Sequence, residues 1–112
     1  MKFYFEGKLI RTSKTHHYTH AVIKRTENDF ILYGCSSSYK LAEKMMMDSI
    51  PYKRYRKWMA VQDGSYKPRD KWAYSLEQMR KKAVEQFGSV ENAVKSSRDG
   101  IEGFEIVEIE EA

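Results

Sequence analysis

Only one cysteine, Cys35, occurs in the 112 residues, so no internal disulfide can form. No apolar run is long enough for a signal peptide or a membrane span, and with the lone thiol this points to a reduced, cytoplasmic setting and to no membrane partner. Two prolines and six glycines are too few for a collagenous or disordered chain. The glycines, at Gly7, Gly34, Gly64, Gly88, Gly100 and Gly103, make neither a phosphate loop nor a dinucleotide fingerprint. Nothing repeats, and no segment is low in complexity. The length excludes a dinucleotide-binding pair or a barrel enzyme, leaving one domain over residues 1–112 that buries roughly two-thirds of its unfolded surface.

Basic residues are missing from the end of the chain. All 20 Lys and Arg fall at or before Arg98, beside ten acidic residues, so residues 1–98 carry +10. The last fourteen residues hold Asp99, Glu102, Glu105, Glu108, Glu110 and Glu111 and carry −6. A basic body is the electrostatic footprint of a chain that meets polyanions, although small proteins are also basic for solubility.

What is present is an α+β pattern. Phe3–Phe5 and Leu9–Arg11 flank Glu6-Gly7 as a hairpin with Tyr4 opposite Leu9 and Phe3 opposite Ile10. Tyr18–Arg25 and Phe30–Cys35 form a second hairpin across Thr26–Asp29. Pairing Arg25 with Phe30 sets Ile23 against Leu32, Ala21 against Gly34 and His20 against Cys35, with Ala21, Ile23, Phe30 and Leu32 as the core face. The serines 36–38 cap a helix over Tyr39–Ser49 that places Leu41, Ala42, Met45 and Met46 on one side, and at least one of Met45–Met47 is expected to be exposed or to meet a partner.

Residues 51–61 read as a helix with Tyr52, Tyr55, Trp58 and Met59 on one side and Lys53, Arg54, Arg56 and Lys57 on the other. As a strand, both faces would be mixed. Ser75 and Gln78 form a capping box, Tyr74 and Met79 a hydrophobic staple, and Leu76, Met79, Ala83, Val84 and Phe87 one apolar face up to Gly88. Ser89 restarts a short helix, and Phe104–Ile109 is a last strand, apolar on two faces and so central or covered. The expected fold is an antiparallel sheet of two hairpins plus the C-terminal strand, with three to four helices packed on one face.

Candidate chemistry is sparse. His16 and His20 stand roughly 13 Å apart along a strand, too far to share a zinc ion, so no metal or other cofactor is expected. A His20–Cys35 pair is the arrangement that activates a thiol, but a His beside a Cys on a sheet is otherwise packing, and no catalytic residue is assigned. Gly100–Gly103 has the spacing of a KH loop; it joins a helix to a strand, and Glu102 inside it would repel phosphate.

The cluster Lys53, Arg54, Tyr55, Arg56, Lys57 and Trp58 interleaves cations for phosphates with aromatic faces for bases. Arg80, Lys81 and Lys82, and Lys67, Arg69 and Lys71 with Trp72, extend it if the fold brings them near. The bland alternative is a solvated helix face over core aromatics. The first functional reading is therefore a non-enzymatic binding protein for nucleic acid or a nucleoprotein, with the general look of a phage or mobile-element accessory protein. A second, of a different class, is a protein inhibitor of a host nuclease, such as an anti-CRISPR antagonist, using the basic patch or the glutamate-rich end. A small Cys/His enzyme is the third.

Overall fold

The computed structural model describes residues 1–112. The chain forms two units: Met1–Ser49 with Glu102–Ala112, and the continuous segment Ile50–Ile101 set between them in sequence.

The first unit holds strands β1 (Lys2–Phe5), β2 (Lys8–Thr12), β3 (His20–Arg25) and β4 (Phe30–Ser36), helix α1 (Tyr39–Met47), and strands β5 (Phe104–Glu108) and β6 (Glu110–Glu111). Glu6 and Gly7 both take positive φ, 51° and 76°, as the tight turn of a two-residue hairpin requires. Tyr4 lies opposite Leu9, but a bulge moves Phe3 from Ile10 to Arg11. In the second hairpin Arg25 opposes Phe30 and Ile23 opposes Leu32, until a bulge at Tyr33 shifts the rest by one residue. Ala21 then faces Cys35, Val22 faces Gly34, and His20 faces Ser36.

The fold class is α+β, and the strands form two three-stranded antiparallel sheets, β2-β1-β6 and β4-β3-β5. The C-terminal strand explains the division: its first part pairs with β3 and its last two residues with β1. It lies at the edge of both sheets and is not central, with its apolar residues only half-buried. Ala21, Ile23 and Cys35 form the core of this unit, with Phe5, Ile10, Tyr18, Phe30, Leu32, Val107 and Ile109 around them. Each fully buried residue of the size of Ile23 or Val22 contributes about 1.5–3 kcal/mol.

Helix α1 starts where Ser38 Oγ accepts the Leu41 N–H and packs against β3, β4 and β5. Of the four residues assigned to its apolar side only Ala42 is fully buried; Leu41 is 52% exposed. None of Met45, Met46 and Met47 is exposed, because all three lie half-buried.

The second unit is a set of three helices, α2 (Ile50–Asp63), α3 (Leu76–Phe87) and α4 (Val90–Asp99), so these helices cover one another's apolar faces. Their core joins Trp58, Val61, Met79, Ala83, Ala93 and Val94. The capping box is present in both directions between Ser75 and Gln78, and Gly88 closes α3 with φ 87°. Val84 faces solvent instead of the core. Tyr74 stays 52% exposed while Met79 is buried. No helix is long and apolar enough to cross a membrane.

Candidate nucleic-acid interface

The division of the chain redistributes the charge. The helical unit holds twelve Lys and Arg against six Asp and Glu, a net +6, whereas the β unit holds eight against ten, a net −2. Of the acidic end, Asp99 falls in the helical unit and the five glutamates, Glu102 to Glu111, in the β unit. There Arg25 pairs with both Glu6 and Glu105, and His17 with Glu111. Of the C-terminal glutamates, Glu105 is thus neutralised by a basic neighbour, and Glu111 has a 3.5 Å contact with the His17 ring.

Helix α2 resolves the basic-aromatic cluster into two faces. Trp58 is 5% exposed and meets Phe87 edge-to-face at 5.8 Å. Tyr55 is half-buried in the same core, with the Arg98 guanidinium 5.9 Å above its ring. The buried Trp58 ring therefore holds the bundle together and does not offer a face to a base. Lys53, Arg54, Arg56 and Lys57 are all exposed. At 3.6 residues per turn Ile50, Lys53, Arg54 and Lys57 form one stripe, and these four line a shallow groove. Lys53, Arg54 and Lys57 have no carboxylate within ion-pairing distance. The stripe ends one turn on, where Val61 is fully buried.

Arg80, Lys81 and Lys82 form a second group. A Cβ on Gly64, just past α2, would stand 3.7 Å from the Arg80 guanidinium, and Gly64 lies ten residues, about 15 Å, along the helix from Arg54. Lys81 and Lys82 line a groove with Tyr74, Gln78, Glu85 and Gln86, and the Lys82 ammonium sits 5.1 Å over the Tyr74 ring. The nine residues thus belong to one unit, but Arg80 lies by the C-terminal end of α2, away from the stripe in its N-terminal half. Ile50, 71% exposed at the start of the stripe, was not singled out by sequence, because an isolated apolar residue before a proline carries no pattern.

The histidines and the cysteine lie elsewhere. His16 stacks on Tyr18, and His20 shares a hydrogen bond with Thr19 Oγ1 and meets Tyr39 edge-to-face. The one-residue bulge removes Cys35 from His20 and turns it into the core, where burial pushes its thiol pKa up. A raised thiol is a poor nucleophile, so the geometry that thiol activation needs is not formed. Gly100–Gly103 does join α4 to β5, a helix to a strand.

Comparison with family models, curated proteins and solved structures found no match, so the residues themselves carry any assignment.

Proposed function

We propose that the protein is a non-enzymatic binder whose helical unit holds nucleic acid, alone or in a nucleoprotein, chiefly through phosphate contacts. The observation that carries this reading is the α2 stripe: Lys53, Arg54 and Lys57 stand exposed and without carboxylate partners, in a unit of net charge +6. Unpaired cations on one helix face repel each other, and a polyanion relieves that repulsion while releasing condensed counterions. The ion pair of Glu105 with Arg25 inside its own unit supports this reading over an inhibitor that mimics phosphate with its acidic end.

Titration of fluorescent duplex and single-stranded oligonucleotides over a series of salt concentrations tests it. Wild-type protein should bind both with a steep salt slope. Replacing Lys53, Arg54, Arg56 and Lys57 by Ala should make the slope shallower by about 0.9 per lost phosphate contact on duplex, whatever the sequence. Unchanged affinity in the quadruple variant removes α2 from the site. A protein retained from nuclease-treated lysate, with no binding to oligonucleotides, favours the nuclease-inhibitor reading.

A further inference from the structure

Between α2 and α3 the chain makes a closed loop. Its neck is tied by the Tyr66 hydroxyl, which donates to the Tyr74 carbonyl at 2.8 Å, while the Tyr66 N–H donates to the Ala60 carbonyl of α2. Tyr66 itself packs against the helical core. At the tip, Asp70 Oδ1 accepts the N–H groups of both Trp72 and Ala73, an Asx turn that fixes the local backbone. Loops of this length with joined ends are compact, and many are functional.

What this loop presents is unusual. Trp72 is 84% exposed, the most exposed large apolar side chain in the protein. Lys67, Arg69 and Lys71 are exposed in the same loop, with the Lys71 ammonium 5.1 Å over the indole ring. Exposed tryptophan loses the burial that makes it worth having. A membrane anchor or a protein hot spot would surround such a ring with further apolar side chains, whereas from Lys67 to Lys71 the only uncharged residue is Pro68. One flat ring beside three cations and a single carboxylate, Asp70, that is engaged by the backbone of the turn matches the demands of an unpaired base and its flanking phosphates.

We propose that this loop reads single-stranded nucleic acid: Trp72 stacks on an unpaired base, and Lys67, Arg69 and Lys71 neutralise the adjoining phosphates. The proposal rests on the nucleic-acid reading above and deepens it, since the α2 stripe holds phosphates of any strand form and Trp72 selects the unpaired one. A base inside a duplex is already stacked on both faces and offers the indole nothing.

The test pairs affinity with intrinsic fluorescence, using a twelve-nucleotide single strand and the matching duplex against wild type, Trp72→Ala, Trp72→Phe and the quadruple α2 variant. Trp72→Ala should lower single-strand affinity by about 5- to 100-fold, the worth of one stacked base. Duplex affinity should stay within about twofold, and Phe should restore part of the loss. Single strand should quench the emission that is present in wild type and missing in Trp72→Phe, which isolates Trp72 from buried Trp58. Equal single-strand affinity in wild type and Trp72→Ala, with duplex binding still lost in the α2 variant, overturns the loop proposal and leaves the broader reading standing. Absence of binding to either oligonucleotide overturns both. Capture by anionic phospholipid vesicles that depends on Trp72, without quenching by single strand, assigns the loop to a membrane surface and overturns the proposal.

Discussion

Met45 of α1 lies directly over Gly34 of β4: a Cβ built on Gly34 would fall 2.3 Å from the Met45 Sδ. A methyl group on Gly34 fits only if the Met45 thioether moves aside. Gly34→Ala should therefore destabilise the protein by about 1–3 kcal/mol, the usual cost of overpacking. Adding Met45→Ala should recover part of that loss, so the double variant is less destabilised than the sum of the two single variants. Denaturant melts of all four proteins check it, and additive effects would show that the strain lies elsewhere.

The hairpin turn between β1 and β2 places Glu6 at φ 51°, a left-handed conformation that Asn adopts more readily than Glu. Glu6 also pairs with Arg25, with both side chains substantially exposed. An exposed ion pair contributes little, so relief of backbone strain should win. Glu6→Asn is expected to stabilise by about 0.5–1 kcal/mol, a fraction of the cost of a strained residue. A lower melting temperature would mean that the Arg25 contact outweighs the turn.

Burial raises the Cys35 thiol pKa, which sets both its reactivity and a pH dependence. With the folded value above the unfolded one, the associated stability is full below the unfolded pKa, near 8.5, and is lost as pH rises through the folded value. Native protein at pH 8 should react slowly with a thiol-disulfide reagent and rapidly in denaturant. Stability should decline above about pH 8.5 in wild type and more shallowly in Cys35→Ala. Fast labelling of native protein would contradict the burial.

Gly103 opens the last strand with φ 83°, and a Cβ there would fall 2.8 Å from the Arg25 carbonyl oxygen. Its own carbonyl accepts the Arg25 N–H at 2.7 Å. Backbone cannot yield as a methionine side chain can, so Gly103→Ala should cost more than Gly34→Ala. By contrast, Glu110 and Glu111 are exposed, and changing both to Gln should shift stability by no more than about 1 kcal/mol. Thermal melts of the two variants separate strand docking from tail charge.

Local signals carried most of the secondary structure. The Ser75–Gln78 box, Gly88 as helix stop and the Thr26–Asp29 turn each act within a few residues, and each stands where sequence chemistry places it. Register failed at Phe3–Ile10 and at His20–Cys35 for one reason: a bulge adds a residue without leaving a mark in hydrophobic alternation. The division into two sheets was equally hidden, because it depends on β6 pairing with a strand over a hundred residues away. At the candidate site, periodicity separated the cations of α2 from its aromatics, but not the Tyr66–Tyr74 hydrogen bond that closes the tryptophan loop. Such closure is tertiary.

The order in which the chain is made gives the placement of Ile50–Ile101 a further meaning. Every contact of that segment's own core joins residues within the segment, so that core can be complete once Ile101 is synthesised. The β unit must wait: β3 is complete at Arg25, while the strand that flanks it starts at Phe104. Closing so long an unstructured loop carries an entropic cost that slows pairing. Three helices already folded would shorten that loop, so destabilising substitutions in the helical segment should also delay the last strand's docking.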